Sequence, residues 1–330
     1  MTARSIRRVL IVMLVGAAFV IAAPGVTTQG TPEAVAANPF ADLALPQIDI
    51  TMTDDLFEGV PADLTAGRYV VALTVETTEE DGGGGTFLLM PEGMTTDQFI
   101  EFTAPSATPM AIDEAEASPM VEADASPAAE EGGDAPPPWY FETAMAGGPY
   151  ADSGDTNYAV VDLSAGEWVF WAEYPGAPQA PQPISVTGEM PTDSPEPAPD
   201  VTIEMADFAF GFSTPLTAGQ HIIALSNVGD QPHFLGVEGV PAGTTVDDVL
   251  ALAEAEVGGM MGSPVATPTD GLSLEDLEPV FGTGDQSAGT TAWYEIELEP
   301  GTYVAACFVT DPETGLPHIM LGMVEVFEIS

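Results

Sequence analysis

Four side chains able to hold a soft metal ion fall in the C-terminal third of this 330-residue chain. His233 closes the segment Asn227-Val228-Gly229-Asp230-Gln231-Pro232-His233, just after the apolar run Ile222–Ser226. Cys307, the only cysteine, follows the run Thr302–Ala306. Ten residues separate it from His318, and Gly322-Met323 then opens a last run, Val324–Ile329. One thiolate, two imidazoles and one thioether form the donor set of a trigonal copper site with a weak axial sulfur. Thiolate and thioether favour Cu(I) while imidazole suits both oxidation states, so an ion held by all of them can shuttle an electron. A lone cysteine at a strand end is more often a small buried hydrophobe, and a lone histidine beside proline is usually a turn residue. Four such donors together outweigh those readings. His221 falls inside the strand pattern Gln220–Leu225 and reads as structural. Met320 competes for the axial place, or joins Leu316, Pro317, Ile319 and Leu321 in an apolar rim, and Met260-Met261 reads as part of a flexible loop in preference to a secondary Cu(I) contact.

The elements that must position these donors are short runs rich in Val, Ile, Phe, Tyr and Trp, separated by Gly, Pro, Asp and Thr, which is the pattern of an all-β sandwich. The chain also repeats itself. Ile48–Met52 matches Val201–Met205, and Leu64-Thr65-Ala66-Gly67 recurs as Leu216-Thr217-Ala218-Gly219. Pro91, Gly93, Thr95 and Asp97 recur at the same spacing as Pro241, Gly243, Thr245 and Asp247, and Leu163–Gly166 before Trp168 matches Leu298–Gly301 before Tyr303. Four matches in one order predict two tandem domains, residues 46–189 and 201–330. Met190–Asp200, with four prolines, reads as the linker. Residues 103–138, made of Ala, Ser, Pro, Glu and Asp, read as a disordered insertion in the first domain. Thr245–Glu256 carries Val246, Val249, Leu250 and Ala253 at helical spacing behind a Thr245/Asp248 cap, and Gly258–Thr269 reads as flexible. The repeat offsets place Gly83 opposite His233 and Ala172 opposite Cys307, and residues 1–200 contain no histidine, so the first domain is expected to be degenerate and metal-free.

The C-terminal domain resembles the cupredoxins, the blue-copper family. The Asn…Gly…Pro-His segment around His233 is similar to the family's first ligand loop. The strand Leu298-Glu299-Pro300-Gly301-Thr302-Tyr303 leading to Cys307, followed by His318 and Gly322-Met323, is similar to its C-terminal ligand loop. The resemblance covers Val201–Ser330 well and residues 46–190 weakly. It implies a Greek-key β-sandwich, one type 1 copper, His233, Cys307 and His318 as equatorial ligands and Met323 as the axial one. It also implies electron entry at an exposed ring edge of His318. Two features depart from the family pattern. The ten-residue interval between Cys307 and His318 is longer than in its short-loop members and similar to that of copper nitrite reductases. Phe234 also stands where an asparagine often ties the two ligand loops together.

Composition narrows the function. The chain has 52 acidic and 4 basic side chains, a formal net charge of −48. Residues 31–330 hold all the acids and one arginine, Arg68, so no basic face exists there for nucleic acid or an anionic membrane. Residues 1–30 carry Arg4, Arg7 and Arg8 ahead of the apolar run Val9–Ala23, the layout of a secretory signal. Fifteen residues at 1.5 Å each cover roughly 22 Å, short of a hydrocarbon core of roughly 30 Å, which favours a removed signal over an N-terminal anchor. A single cysteine leaves an exported chain with no internal disulfide, so its sulfur needs an occupant. The expected function is an extracytoplasmic electron carrier that is not an enzyme, since after ligand assignment only His221 remains for any second copper. Its redox partner is expected to be basic and cytochrome-like, met by electrostatic steering. Copper sequestration or delivery, and a metal-free interaction module, are the alternatives.

Overall fold

The computed structural model describes residues 37–78, 82–103, 138–172, 181–260 and 271–330. The expected signal or anchor, residues 104–137 of the expected insertion and residues 261–269 of the expected flexible stretch lie outside these. Among the described residues no helix is long and apolar enough to cross a membrane.

The N-terminal half contributes β1 (Gln47–Thr53), β2 (Phe57–Glu58), β3 (Asp63–Thr65), β4 (Gly67–Glu76), β5 (Gly83–Gly84) and β6 (Thr86–Leu89). Helices α1 (Thr96–Thr103) and α2 (Pro138–Glu142) follow, then β7 (Tyr150–Ala151), β8 (Thr156–Leu163), β9 (Gly166–Trp171) and β10 (Gln182–Thr187). The C-terminal half contributes β11 (Val201–Ala206), β12 (Ala209–Phe212), β13 (Gly219–Asn227), β14 (Gly236–Val240), α3 (Val246–Met260), β15 (Glu278–Gly282), β16 (Thr291–Leu298), β17 (Gly301–Ala306) and β18 (Val324–Ile329). The molecule is mostly strand with few helices. Strands such as β1 and β11 bury alternate residues, Ile48, Ile50 and Met52 in one and Val201, Ile203 and Met205 in the other, as the period of two requires.

One eight-stranded sheet runs β12-β11-β13-β16-β8-β4-β1-β2, and two four-stranded sheets, β3-β10-β9-β6 and β15-β14-β17-β18, belong one to each half. The large sheet is symmetric in plan. Each half supplies an edge hairpin, a parallel pair (β1 with β4, β11 with β13) and an antiparallel strand, and β16 meets β8 at the centre through Trp293↔Val160 and Tyr294↔Ala159. The four repeated sequence segments sit at equivalent places, in β1 and β11, before β4 and β13, ahead of α1 and α3, and at the β8–β9 and β16–β17 turns. The two halves are therefore joined through a shared sheet as well as through residues 190–200. One core of Phe57, Phe87, Phe170, Leu225, Tyr294 and Val304, among others, spans them.

Helix α3 starts where expected, with the Thr245 side chain and Asp248 capping each other. It runs four residues past the expected end, to Met260, because the stripe Val249, Leu252 and Ala253 is buried and drives the helix through Gly258 and Gly259 despite a cost of about 1 kcal/mol for each glycine.

Candidate metal centre

The expected donors come from two loops at one end of the C-terminal half. His233 lies between β13 and β14, and Cys307 and His318 lie between β17 and β18. Strands β14 and β17 are hydrogen-bonded neighbours, as are β17 and β18, with Gly236 opposite Ala306 and Ala306 opposite Val324. That register puts residues 233–235, 307 and 323 at the same edge of one small sheet. The main chain fastens the C-terminal loop further: Ile319 N–H donates to the Cys307 carbonyl (2.8 Å), Met323 N–H to that of His318 (2.9 Å), and Cys307 N–H to that of Met323 (3.3 Å).

His233, Cys307 and His318 are all fully buried, and their ligand atoms lie within 4.8 Å of one another. The His233 and His318 Nδ1 atoms are 3.0 Å apart, and Cys307 Sγ is 3.9 Å from the first and 3.6 Å from the second. A point in their plane lies about 2 Å from all three, close to the length of first-row metal bonds to imidazole nitrogen and thiolate sulfur. Met323 is fully buried at the start of β18. The donor set fits one copper ion of the type 1 kind.

Both imidazoles are oriented from behind. His233 Nε2 donates to Asp207 Oδ1 at 3.0 Å, and His318 Nε2 donates to Gln231 Oε1 at 3.0 Å. An acceptor at Nε2 keeps the proton there and leaves the Nδ1 lone pair for a metal. The Gln231 orientation is fixed because its Nε2 donates to Asp311 Oδ1 (2.8 Å), and Asp311 in turn receives the N–H and hydroxyl of Thr314. Gln231 thus ties the His233 loop to the His318 loop, the task that Phe234 cannot perform. Asn227 closes the first loop on itself, donating to the carbonyls of Gln231 and Gln286 and accepting from Gly229 N–H. A Cβ on Gly229 would stand 2.3 Å from Asp207 Oδ1 and 2.9 Å from His233 Nε2, so only glycine allows this approach.

Asp207 and Phe208 form the two-residue turn between β11 and β12, and Phe208 adopts φ 64°, which is strained for a bulky side chain. Its ring meets that of His318 edge-on with centroids 5.1 Å apart. The resemblance implied an exposed His318 edge; the structure corrects this, since Phe208 and Gln231 cover the ring and its exposure is 0%. In the expected rim Pro317 and Ile319 are buried, while Leu316, Met320 and Leu321 remain partly exposed. His221 stands apart, its Nε2 on the Thr217 carbonyl at 2.8 Å. Ala172 follows β9 as Cys307 follows β17, and Gly83 pairs with Ala151 in β5–β7.

Burial sets the protonation states. It pushes the Cys307 thiol up to about 12, against the opposing pull of the Phe234 and Val309 N–H groups on the sulfur. It pushes His318 down to about 4, aided by His233, and lowers His233 as well. At pH 7 the metal-free site is therefore a neutral thiol with two neutral imidazoles. Because only the thiol must ionise to bind a metal, copper binding at pH 7 is expected to release close to one proton per ion. Calorimetry in buffers of different ionisation enthalpy measures that count, and a value near zero contradicts the protonated thiol.

No family model matches the chain, and no curated protein matches it. Among solved structures it is similar to reduced auracyanin from Roseiflexus castenholzii, at 18% identity over 39% of this chain and 94% of that one, with a TM-score of 0.25. It is similar to an azurin from Methylomonas sp. strain J, at 13% identity over 39% and 95%, with a TM-score of 0.23. A multicopper oxidase matches at 12% identity over 86% of this chain and 88% of its own, with a TM-score of 0.21. The chain resembles the cupredoxins above all in its own residues, a His233 loop and a Cys307–His318 loop whose buried donors converge on a place for one type 1 copper.

Proposed function

We propose that this protein is an exported one-electron carrier with one copper ion held by His233, Cys307 and His318, and with Met323 as the axial donor. The observation that carries the reading is the convergence of three buried donor atoms, two of them on imidazoles whose far nitrogens already have acceptors. Bound copper supplies a one-electron couple between Cu(I) and Cu(II). The chain's own part is to hold the donors still. They sit at strand ends and on loops tied by Asn227, Gln231 and Asp311, so little rearrangement can accompany a change of charge. Phe208 and Gln231 keep water off His318.

The N-terminal half fits the same module without its ligands, which the equivalent strand plan and the Ala172 position support. The histidine count favours a non-enzymatic role: with only His221 left over, the chain lacks the several further imidazoles that a second, catalytic copper needs. The acidity suits a basic redox partner.

Adding Cu(II) to the purified exported form tests the reading. An intense visible thiolate-to-copper band is expected, lost in Cys307→Ser; a colourless parent, or colour that survives the substitution, refutes it. Oxidation of the reduced blue protein by a basic cytochrome in stopped flow, slowing as salt rises, is expected of a carrier. A blue protein that exchanges no electrons is a copper store.

A further inference from the structure

The loop between β15 and β16 has two sides. On one, Gln286 exchanges backbone hydrogen bonds with His233: His233 N–H donates to the Gln286 carbonyl (3.0 Å) and Gln286 N–H to the His233 carbonyl (2.8 Å). The fully buried Gln286 side chain also donates to the Leu225 carbonyl (3.0 Å). On the other side the loop is stitched to the N-terminal half. Gly147 N–H donates to the Asp285 carbonyl, Gly284 N–H to that of Gly148 and Ser287 N–H to that of Met145, at 2.9, 2.9 and 3.0 Å. Ser287 Oγ accepts from Met145 N–H and donates to the Thr143 carbonyl, each at 2.7 Å. Asp285 N–H donates to Thr86 Oγ1 at 2.9 Å, and its carboxylate receives the Tyr140 hydroxyl.

These layers leave no slack. A Cβ on Gly147 would meet the Tyr294 hydroxyl at 2.4 Å and Gln286 Cγ at 3.1 Å, and one on Gly284 would meet Thr86 Oγ1 at 2.5 Å. The His233 loop therefore rests on residues 283–287, and those rest on residues 143–148.

We propose that the N-terminal half, which has no histidine or cysteine of its own, positions the copper ligand His233 through residues 143–148 and the Asp285–Ser287 loop. The proposal rests on the copper reading and assigns the metal-free half a part in the same site. Tyr140, Ser287 and Gln286 are positioning residues, since none of them offers an atom to the metal.

The test uses the full chain with Ser287→Ala and Tyr140→Phe combined, beside Val71→Ala, a core truncation in β4 of the same half chosen to lower thermal stability similarly. In the metal-free proteins the exchange rate of the His233 amide is expected to rise roughly tenfold more in the double variant than in Val71→Ala, about the worth of one buried hydrogen bond. In the copper-loaded proteins the ratio of Cu(I) to Cu(II) affinity is expected to change about tenfold in the double variant, read as a midpoint shift of about 59 mV for one electron, and not in the control. A blue parent whose double variant matches Val71→Ala in either readout overturns the positioning role. A parent with no blue band overturns the copper reading instead.

Discussion

Replacing Asp207 with alanine is expected to weaken copper binding about 10- to 100-fold, the range seen when a hydrogen-bond partner behind a metal-bound histidine is lost. Asp207 Oδ1 takes the proton of His233 Nε2, and the same carboxylate receives the N–H groups of Asp230 and Gln231 at 3.0 to 3.2 Å. Burial works against its ionisation, but the His233 contact and the two amide N–H groups outweigh that and hold its carboxyl below the usual range. It is therefore a standing anion at neutral pH, able to keep the imidazole in the metal-binding tautomer and to stabilise positive charge beyond it. Alanine leaves Nε2 without its acceptor, frees the tautomer and loosens the Asp230–Gln231 turn, and with it Gln231's hold on His318. Asparagine keeps an oxygen for the amides and the imidazole and loses only the charge, so its loss is expected to be the smaller of the two. Competition against a calibrated chelator measures both. Alanine binding within about threefold of the parent contradicts the role, since that is well under the 10-fold floor.

That carboxylate shows where the sequence was silent. The three converging donors could be read because His233 and Cys307 fall in short signatures beside strands, and His318 follows Cys307 within one loop. The acceptors behind them could not. Asp207 reaches His233 across a hairpin turn 26 residues earlier in the chain, and no residue pattern marks a turn as folding over a site. The covering of His318 failed for the same reason, because Phe208 comes from that turn. Gln231 lies within the segment Asn227–His233, but its role depends on the approach of Asp311 from the other loop. The shared sheet did leave a trace: Tyr158–Val161 of β8 and Ala292–Tyr294 of β16 are unbroken apolar runs, and the structure buries them on both faces. Helix α1 was also foreshadowed, since Pro91–Asp97 repeats the lead-in to α3.

The second large effect is on stability, and it comes from Glu238. This residue sits mid-strand in β14, opposite Val304 of β17 and Pro279 of β15, and is 4% exposed. It lines a cavity of about 10 Å³ whose other walls include Val249 and Leu252 of α3, Leu277, Phe308 and Ile319, and its Oε2 has no hydrogen-bond partner among the described residues. Burial alone raises its carboxyl from 4.5 to about 8. The folded state thus keeps a proton that the unfolded chain has already released, so stability falls as pH rises from about 4.5 to about 8 and is unaffected by this group outside that window. The full loss corresponds to about 5 kcal/mol at 1.36 kcal/mol per pH unit, a large share of a typical folding free energy. Glutamine has nearly the same shape and never ionises. Glu238→Gln is therefore expected to match the parent within about 1 kcal/mol at pH 5 and to exceed it by about 5 kcal/mol at pH 9. Urea unfolding of the two metal-free proteins across that range measures the gap, and taking the difference cancels the common contribution of Asp285, which burial raises to about 6, and of the many exposed acids. A gap that stays constant from pH 5 to pH 9 would mean that Glu238 is ionised in the folded protein, with a partner for its charge.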